Sequence, residues 1–152
     1  FCMGIIAQLI TSFIASLGFG ILFNAPKKVL VQCGINGMAG WIVYYLLVDI
    51  GMNALPATIL GAALVAVISR IFAKMYKTPI IIFNVSGIIP LVPGGMAYNA
   101  MRSFVQNDYY AAFEYATEVM LLAGGIAMGL MFSEVLNQVM LKTSGKKRRT
   151  QL

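Results

Sequence analysis

Apolar residues in this chain fall in runs about as long as a bilayer is thick, and that feature limits its folds more than any other. The runs cover residues 3–23, 29–48, from just after Asn53 to 73, 80–101 and 109–141. A spanning helix takes about 20 predominantly apolar residues. With no water in the bilayer core to satisfy backbone N–H and C=O groups, an open strand cannot cross, so each run is expected to be helical. The expectation is an all-α integral membrane protein. One domain of five transmembrane helices spans 1–141, and a basic cytoplasmic tail follows at 142–152. Composition agrees: 60% of the 152 residues are hydrophobic and 11% are charged, whereas a soluble domain averages about 25% charged.

The breaks between runs carry helix-end chemistry. Asn24 suits a left-handed helix end, and Pro26 is tolerated in the first turn of the next helix. Asp49, Gly51 and Asn53 close the second run, and Pro56 sits in the first turn of the third. Thr78-Pro79 reads as an N-cap followed by proline at the first helical position. Asn107-Asp108 caps the last segment, which is expected to stop near Leu141 ahead of Gly145.

The net charge of +6 becomes an orientation once the bases are placed. Lys27, Lys28, Arg70, Lys74, Lys77, Lys142, Lys146, Lys147, Arg148 and Arg149 fall on one side, and Arg102 alone on the other. Basic loops stay cytoplasmic, so the N-terminus is expected outside and the C-terminus inside. Bases clustered at the ends of apolar runs do not make a basic stripe on a soluble face, so no nucleic-acid partner is expected. Tyr44, Tyr45, Tyr109 and Tyr110 suit an interfacial aromatic belt. Cys2 and Cys33 lie in apolar surroundings near opposite membrane faces, which reads as two small hydrophobes rather than a disulfide. The chain opens on Phe1, so residues are expected upstream of it. Its first run lacks the basic n-region and clean cleavage site of a signal peptide.

Several features break the ordinary rules of a membrane span. Residues 87–95, GIIPLVPGG, put Pro90 and Pro93 in mid-span, followed by Gly94 and Gly95. Each proline removes an N–H and clashes with the carbonyl four residues back, so the fourth helix should open there. Unwound backbone at membrane depth is tolerated only where protein buries it or a cavity receives it, and transporters build midplane sites from the half-helix ends. Asn84 and Ser86, just before the break, add side-chain donors and acceptors. A kink that only adjusts packing is the other reading.

The fifth segment carries Glu114, Glu118 and Glu134 around an uninterrupted apolar core, 119–132. That core is about 14 residues or about 21 Å, short of a hydrocarbon layer of about 30 Å. Glu118 or Glu134 would then enter the membrane edge. Glu114 and Glu118 share a helix face, and an intramembrane carboxylate is a candidate proton or ion relay. Alternatively, the two lie on a helix extension in water. Arg102 is a candidate partner for either, or for an anionic substrate.

Small residues repeat at helical spacing: Ser12, Ser16 and Gly20; Gly34, Gly37 and Gly40; Gly125, Gly129 and Ser133. Such repeats let helices pack backbone to backbone. Gln32 and Asn36 share a face of the second span and need partners inside lipid, either across helices or in a cavity. The chain has no histidine, no metal-ligand spacing and no phosphate-cradling loop, and Asp49 and Asp108 both fall at the outer surface. No catalytic constellation, metal site or cofactor is expected.

Three stretches together, GFGILFNAPKK at 18–28, Lys77-Thr78-Pro79 and GIIPLVPGG, resemble a known family. The chain resembles the C-terminal half of the threonine/serine exporter family, from about Leu9 to Gly129. It is more closely similar to the small subunit of the two-component version, associated with export of succinate and related small metabolites. The resemblance implies half of a multi-pass transporter of the bacterial inner membrane, completed by a homologous five-span subunit. It carries over only Gly87, Pro90, Pro93 and Gly94 as site residues. Asn84, Ser86, Gln32, Asn36 and Arg102 as substrate-binding residues, and Glu114 and Glu118 as proton-coupling residues, come from the reading of the residues themselves. The expected function is export of a small amino acid or carboxylate. A non-transporting scaffold and a homo-oligomeric channel are the competing readings.

Overall fold

The computed structural model describes residues 2–149, with the side chains at positions 2, 141 and 143–149 outside that description. Six α-helices follow in order: α1 (Cys2–Leu22), α2 (Leu30–Asp49), α3 (Ala54–Tyr76), α4 (Ile80–Ile88), α5 (Gly94–Val105) and α6 (Tyr109–Arg149). Single 3-10 turns lie at Lys27–Val29 and Ile89–Leu91, and the described residues contain no strand. α1, α2, α3 and α6 are each long and apolar enough to cross a bilayer. α4 and α5, bent by 55° to one another, make a fifth crossing if the pair counts as one span.

Four of the helix ends close in the same way. Asn24, Gly51, Lys77 and Asn107 take positive φ values of 57°, 97°, 50° and 62°. In each case the next residue's N–H reaches back five residues: Ala25 to Gly20, Met52 to Leu47, Thr78 to Ala73 and Asp108 to Ser103. This six-to-one bond satisfies a carbonyl that the helix end would otherwise leave open. Thr78 does not act as the expected N-cap. Its hydroxyl donates to the Tyr76 carbonyl at 3.1 Å, and Pro79 caps α4 without a side-chain bond. Asp108 does cap: its carboxylate accepts from the Ala111 N–H at 3.2 Å.

The expected stop near Leu141 does not occur either. α6 runs through Gly145 to Arg149, so the described part of the expected tail is helical. A glycine inside a helix costs about 1 kcal/mol, too little to end one whose C-terminal turns carry basic residues, the sign that the helix dipole favours there. The expected environment of Cys2, and the side chains of Lys146, Lys147, Arg148 and Arg149, lie outside the described residues. Cys33 is buried and free, in an apolar cluster with Val29 and Phe83.

α2 is the hub. It packs on α1, α3 and α4, while α3 packs on α6 and α6 on α5. A second cluster, Ala62, Val65, Leu91 and Ile126, joins α3, the turn after α4, and α6. The small residues expected at contacts are at contacts. Ser12, Ser16 and Ser133 are buried, and the glycine face of α2 seats Phe13 and Ser16 of α1 and Val65 of α3. The outer faces remain apolar and exposed, as with Met3, Ile6, Ile10 and Ile14 on α1 and Met120, Met128 and Met131 on α6.

Gly37 marks the tightest of these approaches. A Cβ there would overlap Ser16 Oγ and lie 2.5 Å from Ser16 Cβ. Replacing Gly37 by Ala should therefore push α1 off α2 and cost about 1–3 kcal/mol. Adding Ser16→Gly should recover most of the loss in thermal unfolding of the detergent-solubilised protein. A pair no more stable than G37A alone would remove this contact from the account.

Candidate functional site

The break between α4 and α5 follows directly from its two prolines. α4 ends at Ile88, a 3-10 turn covers Ile89–Leu91, and Val92 is extended at φ −64°, ψ 127°. Pro93, at φ −76° and ψ 54°, forms an inverse γ-turn in which the Gly94 N–H donates to the Val92 carbonyl at 2.8 Å. α5 then starts on Gly94 with no side-chain cap and no acidic residue in its first turn. Its first N–H groups have no partner within the helix, and they form the positive end of its dipole. A Cβ added to Gly94 or Gly95 would meet nothing within 4 Å, so this end faces open space.

A small pocket of about 220 Å³ adjoins the break, lined by Gln8, Thr11, Ser12, Ala15, Trp41 and Pro90. Gln8 Oε1 accepts from Trp41 Nε1 at 2.8 Å, which ties α1 to α2 across the pocket. Ser12 Oγ donates to the Gln8 carbonyl at 2.7 Å and Thr11 Oγ1 to the Ala7 carbonyl at 2.8 Å. One turn on, the fully buried Ser16 Oγ has no partner and presses against Gly37 beside Pro90. The sequence reading missed Gln8, Thr11 and Trp41, and treated Ser12 and Ser16 only as small residues. The signal was present: Gln8, Thr11, Ser12 and Ser16 form a polar stripe at i, i+3, i+4 and i+8 on an otherwise apolar span.

The other expected site residues fall in separate places. Asn36 is fully buried and serves as a cross-helix clamp. Its Nδ2 donates to Ser69 Oγ on α3 at 2.7 Å and to the Phe83 carbonyl on α4 at 3.0 Å. A Cβ on Gly87 would lie 2.6 Å from that nitrogen, so Gly87 leaves room for the clamp. Ser86 turns its hydroxyl back to the Ile82 carbonyl at 2.6 Å, which spends its donor inside α4. Gln32 Nε2 donates to Tyr76 Oη at 2.7 Å. The amide oxygens of Gln32, Asn36 and Asn84 are buried without partners. Of the alternatives open for Gln32 and Asn36, the donors of both are used across helices.

Arg102, Glu114 and Glu118 are not brought to the break. Arg102 stands eight residues into α5, about 12 Å along its axis from Gly94, and is exposed. Glu114 and Glu118 are exposed on α6 and line an open groove with Tyr110, Phe113 and Thr117. The expected pairing of Arg102 with either glutamate is absent. Among the described residues the acid–base pair is Arg70 on α3 with Glu134 on α6. No group of three or more His, Cys, Asp or Glu side chains able to hold a metal comes together among the described residues.

The clamp predicts a graded response. Asn36→Ala removes both cross-helix bonds and should cost about 1–3 kcal/mol. Asn36→Asp sets an acceptor against the Phe83 carbonyl and should be at least as damaging in thermal unfolding. An Asp variant as stable as the parent would contradict the bonding pattern.

Residues 8–136 match the family model described as "Threonine/Serine exporter, ThrE". The chain is also 28% identical over 138 residues to an uncharacterized protein of Haemophilus influenzae, covering 86% of this chain and 46% of that protein. It thus spans about half the length of this curated relative. No solved structure matches it. The match takes in the polar stripe of α1, the clamp of α2 and the proline break between α4 and α5, and on its extent the chain belongs to the threonine/serine exporter family.

Proposed function

We propose that this chain is one half of a secondary transporter that exports a small amino acid or short carboxylate, of the threonine/serine or succinate class, from the bacterial cytoplasm. The observation that carries the reading is the broken helix. α4 and α5 are bent by 55° to one another, α5 starts without a side-chain cap, and Pro90 at the break lines a pocket shared with Gln8, Thr11 and Ser12. A positive half-helix end favours a carboxylate, and broken helices with such ends are how transporters bind substrate at the bilayer midplane. Ten of the eleven bases on one side support a cytoplasmic C-terminus.

The other half is a second five-span subunit. Two halves with an odd number of spans in series run in opposite directions through the membrane, the inverted arrangement used for alternating access. Coverage of only 46% of the Haemophilus influenzae relative supports a larger functional unit. Glu118, with Glu114 one turn away, carries the coupling proton, since both reach the exposed face of α6 where a second half can pack.

Efflux from vesicles containing both halves and loaded with labelled threonine, serine or succinate tests the proposal. The wild-type pair should release substrate only with an imposed proton gradient. Replacing Pro90 and Pro93 by Ala should continue the helix, weaken equilibrium substrate binding by about tenfold as the helix-end contact is lost, and take flux to background. Glu118→Gln should leave substrate binding intact while abolishing gradient-driven flux. Flux that survives the proline changes in a folded protein would return the motif to a packing kink, and uncoupled flux from this chain alone would favour the channel.

A further inference from the structure

We propose that the crevice between the basic ends of α3 and α6 is a binding site for an anionic phospholipid, whose phosphate sits between Arg70 and Lys74. The crevice arises from how the two helices pack. At mid-span, Gly125 and Gly129 let α6 approach closely; a Cβ on Gly129 would lie 2.5 Å from the Ile59 carbonyl oxygen. Past Ser133 the small residues stop. Beyond them a gap of about 160 Å³ lies between the two helices. Its walls are apolar, with Val67 and Ile71 from α3 and Leu136 and Met140 from α6, and its rim carries Arg70 and Lys74.

Charge complementarity selects the occupant. Arg70 pairs through Nη2 with Glu134, but its Nε is buried and has no partner. A guanidinium presents five donors in a rigid fork and matches phosphate oxygens well. Lys74 is one helical turn further toward the membrane surface and exposed. Arg70, Lys74 and Glu134 together carry one net positive charge, the complement of one phosphodiester. Arg70 lies six residues before the end of α3, about 9 Å below it along the axis. Its stem can run along the apolar walls while its head reaches the phosphate level. An acyl chain fills the gap below, along mostly aliphatic walls that Ser133 and Asn137 interrupt.

The full chain in detergent micelles doped with phosphatidylglycerol, or with phosphatidylcholine of the same chains, tests the site by thermal stabilisation and by lipid retained in native mass spectrometry. Phosphatidylglycerol should stabilise the protein saturably and phosphatidylcholine should not. K74Q should weaken half-saturation about fivefold, the loss expected for one base near an anionic headgroup. R70Q/E134Q removes both charges of the ion pair together, so no carboxylate is left unpaired, and should weaken binding further. K27Q/K28Q, on the other basic loop, should leave it unchanged. If R70Q/E134Q does not fold, K74Q against K27Q/K28Q still decides. Equal effects of the two lipids, an equal loss in K27Q/K28Q, or full stabilisation by soluble glycerol phosphate would overturn the proposal.

Discussion

The amide of Asn36 holds three helices at one point, and the packing of the chain is organised around it. Its two donors reach α3 at Ser69 and α4 at Phe83. In a bilayer there is no hydrophobic driving force to press helices together, so close packing and interhelical hydrogen bonds carry that task. The small face of α2 lets its neighbours come close enough for the amide to span the gap. Gly87 completes the arrangement from α4, since a side chain there would strike the clamp. The clamp also holds α4 immediately before the turn at which the span breaks.

That placement matters because a break in a membrane span is costly unless its surroundings are rigid. Pro90 and Pro93 remove two backbone donors, and the chain answers with a 3-10 turn and an inverse γ-turn rather than a gradual bend. On one side α4 is fixed by Asn36. On the other, Pro90 rests near Gly37 and lines the pocket with the α1 polar stripe. The open start of α5 is therefore a defined feature of a packed framework. The Arg70–Glu134 pair does comparable work at the basic end, joining α3 to α6 where the close glycine contacts have ended.

Much of this was legible in the residues. Except at the end of α6, the boundaries of the apolar runs agree with the helices to within a few residues, because span length and backbone satisfaction leave little choice. Asn24 and Gly51 could be read as left-handed ends. Lys77 could not, since nothing in its chemistry favours positive φ and only the bond from Thr78 to Ala73 accounts for it. Thr78 does not cap α4, because its hydroxyl binds the nearby Tyr76 carbonyl. A single glycine does not stop α6, so the helix runs past the expected end near Leu141. Arg102 is a candidate partner for Glu114 or Glu118 as the lone base on its side, yet all three are exposed and the ion pair forms instead between Arg70 and Glu134.

The amino-acid sequence by itself determined that the chain is helical and membrane-spanning, where the bends fall, and which end carries the positive charge. These depend on local quantities: run length, proline, glycine and charge. Only the tertiary structure decided what each polar residue does. Asn36 and Asn84 are the same residue type in the same apolar setting and both keep a buried oxygen without a partner, yet Asn36 ties three helices together through its amide nitrogen. Gln8 became a pocket residue because Trp41 faces it from α2. A side chain's role depends on which neighbouring helix it meets, and that is set by the rotation and approach of whole helices rather than by any window of residues.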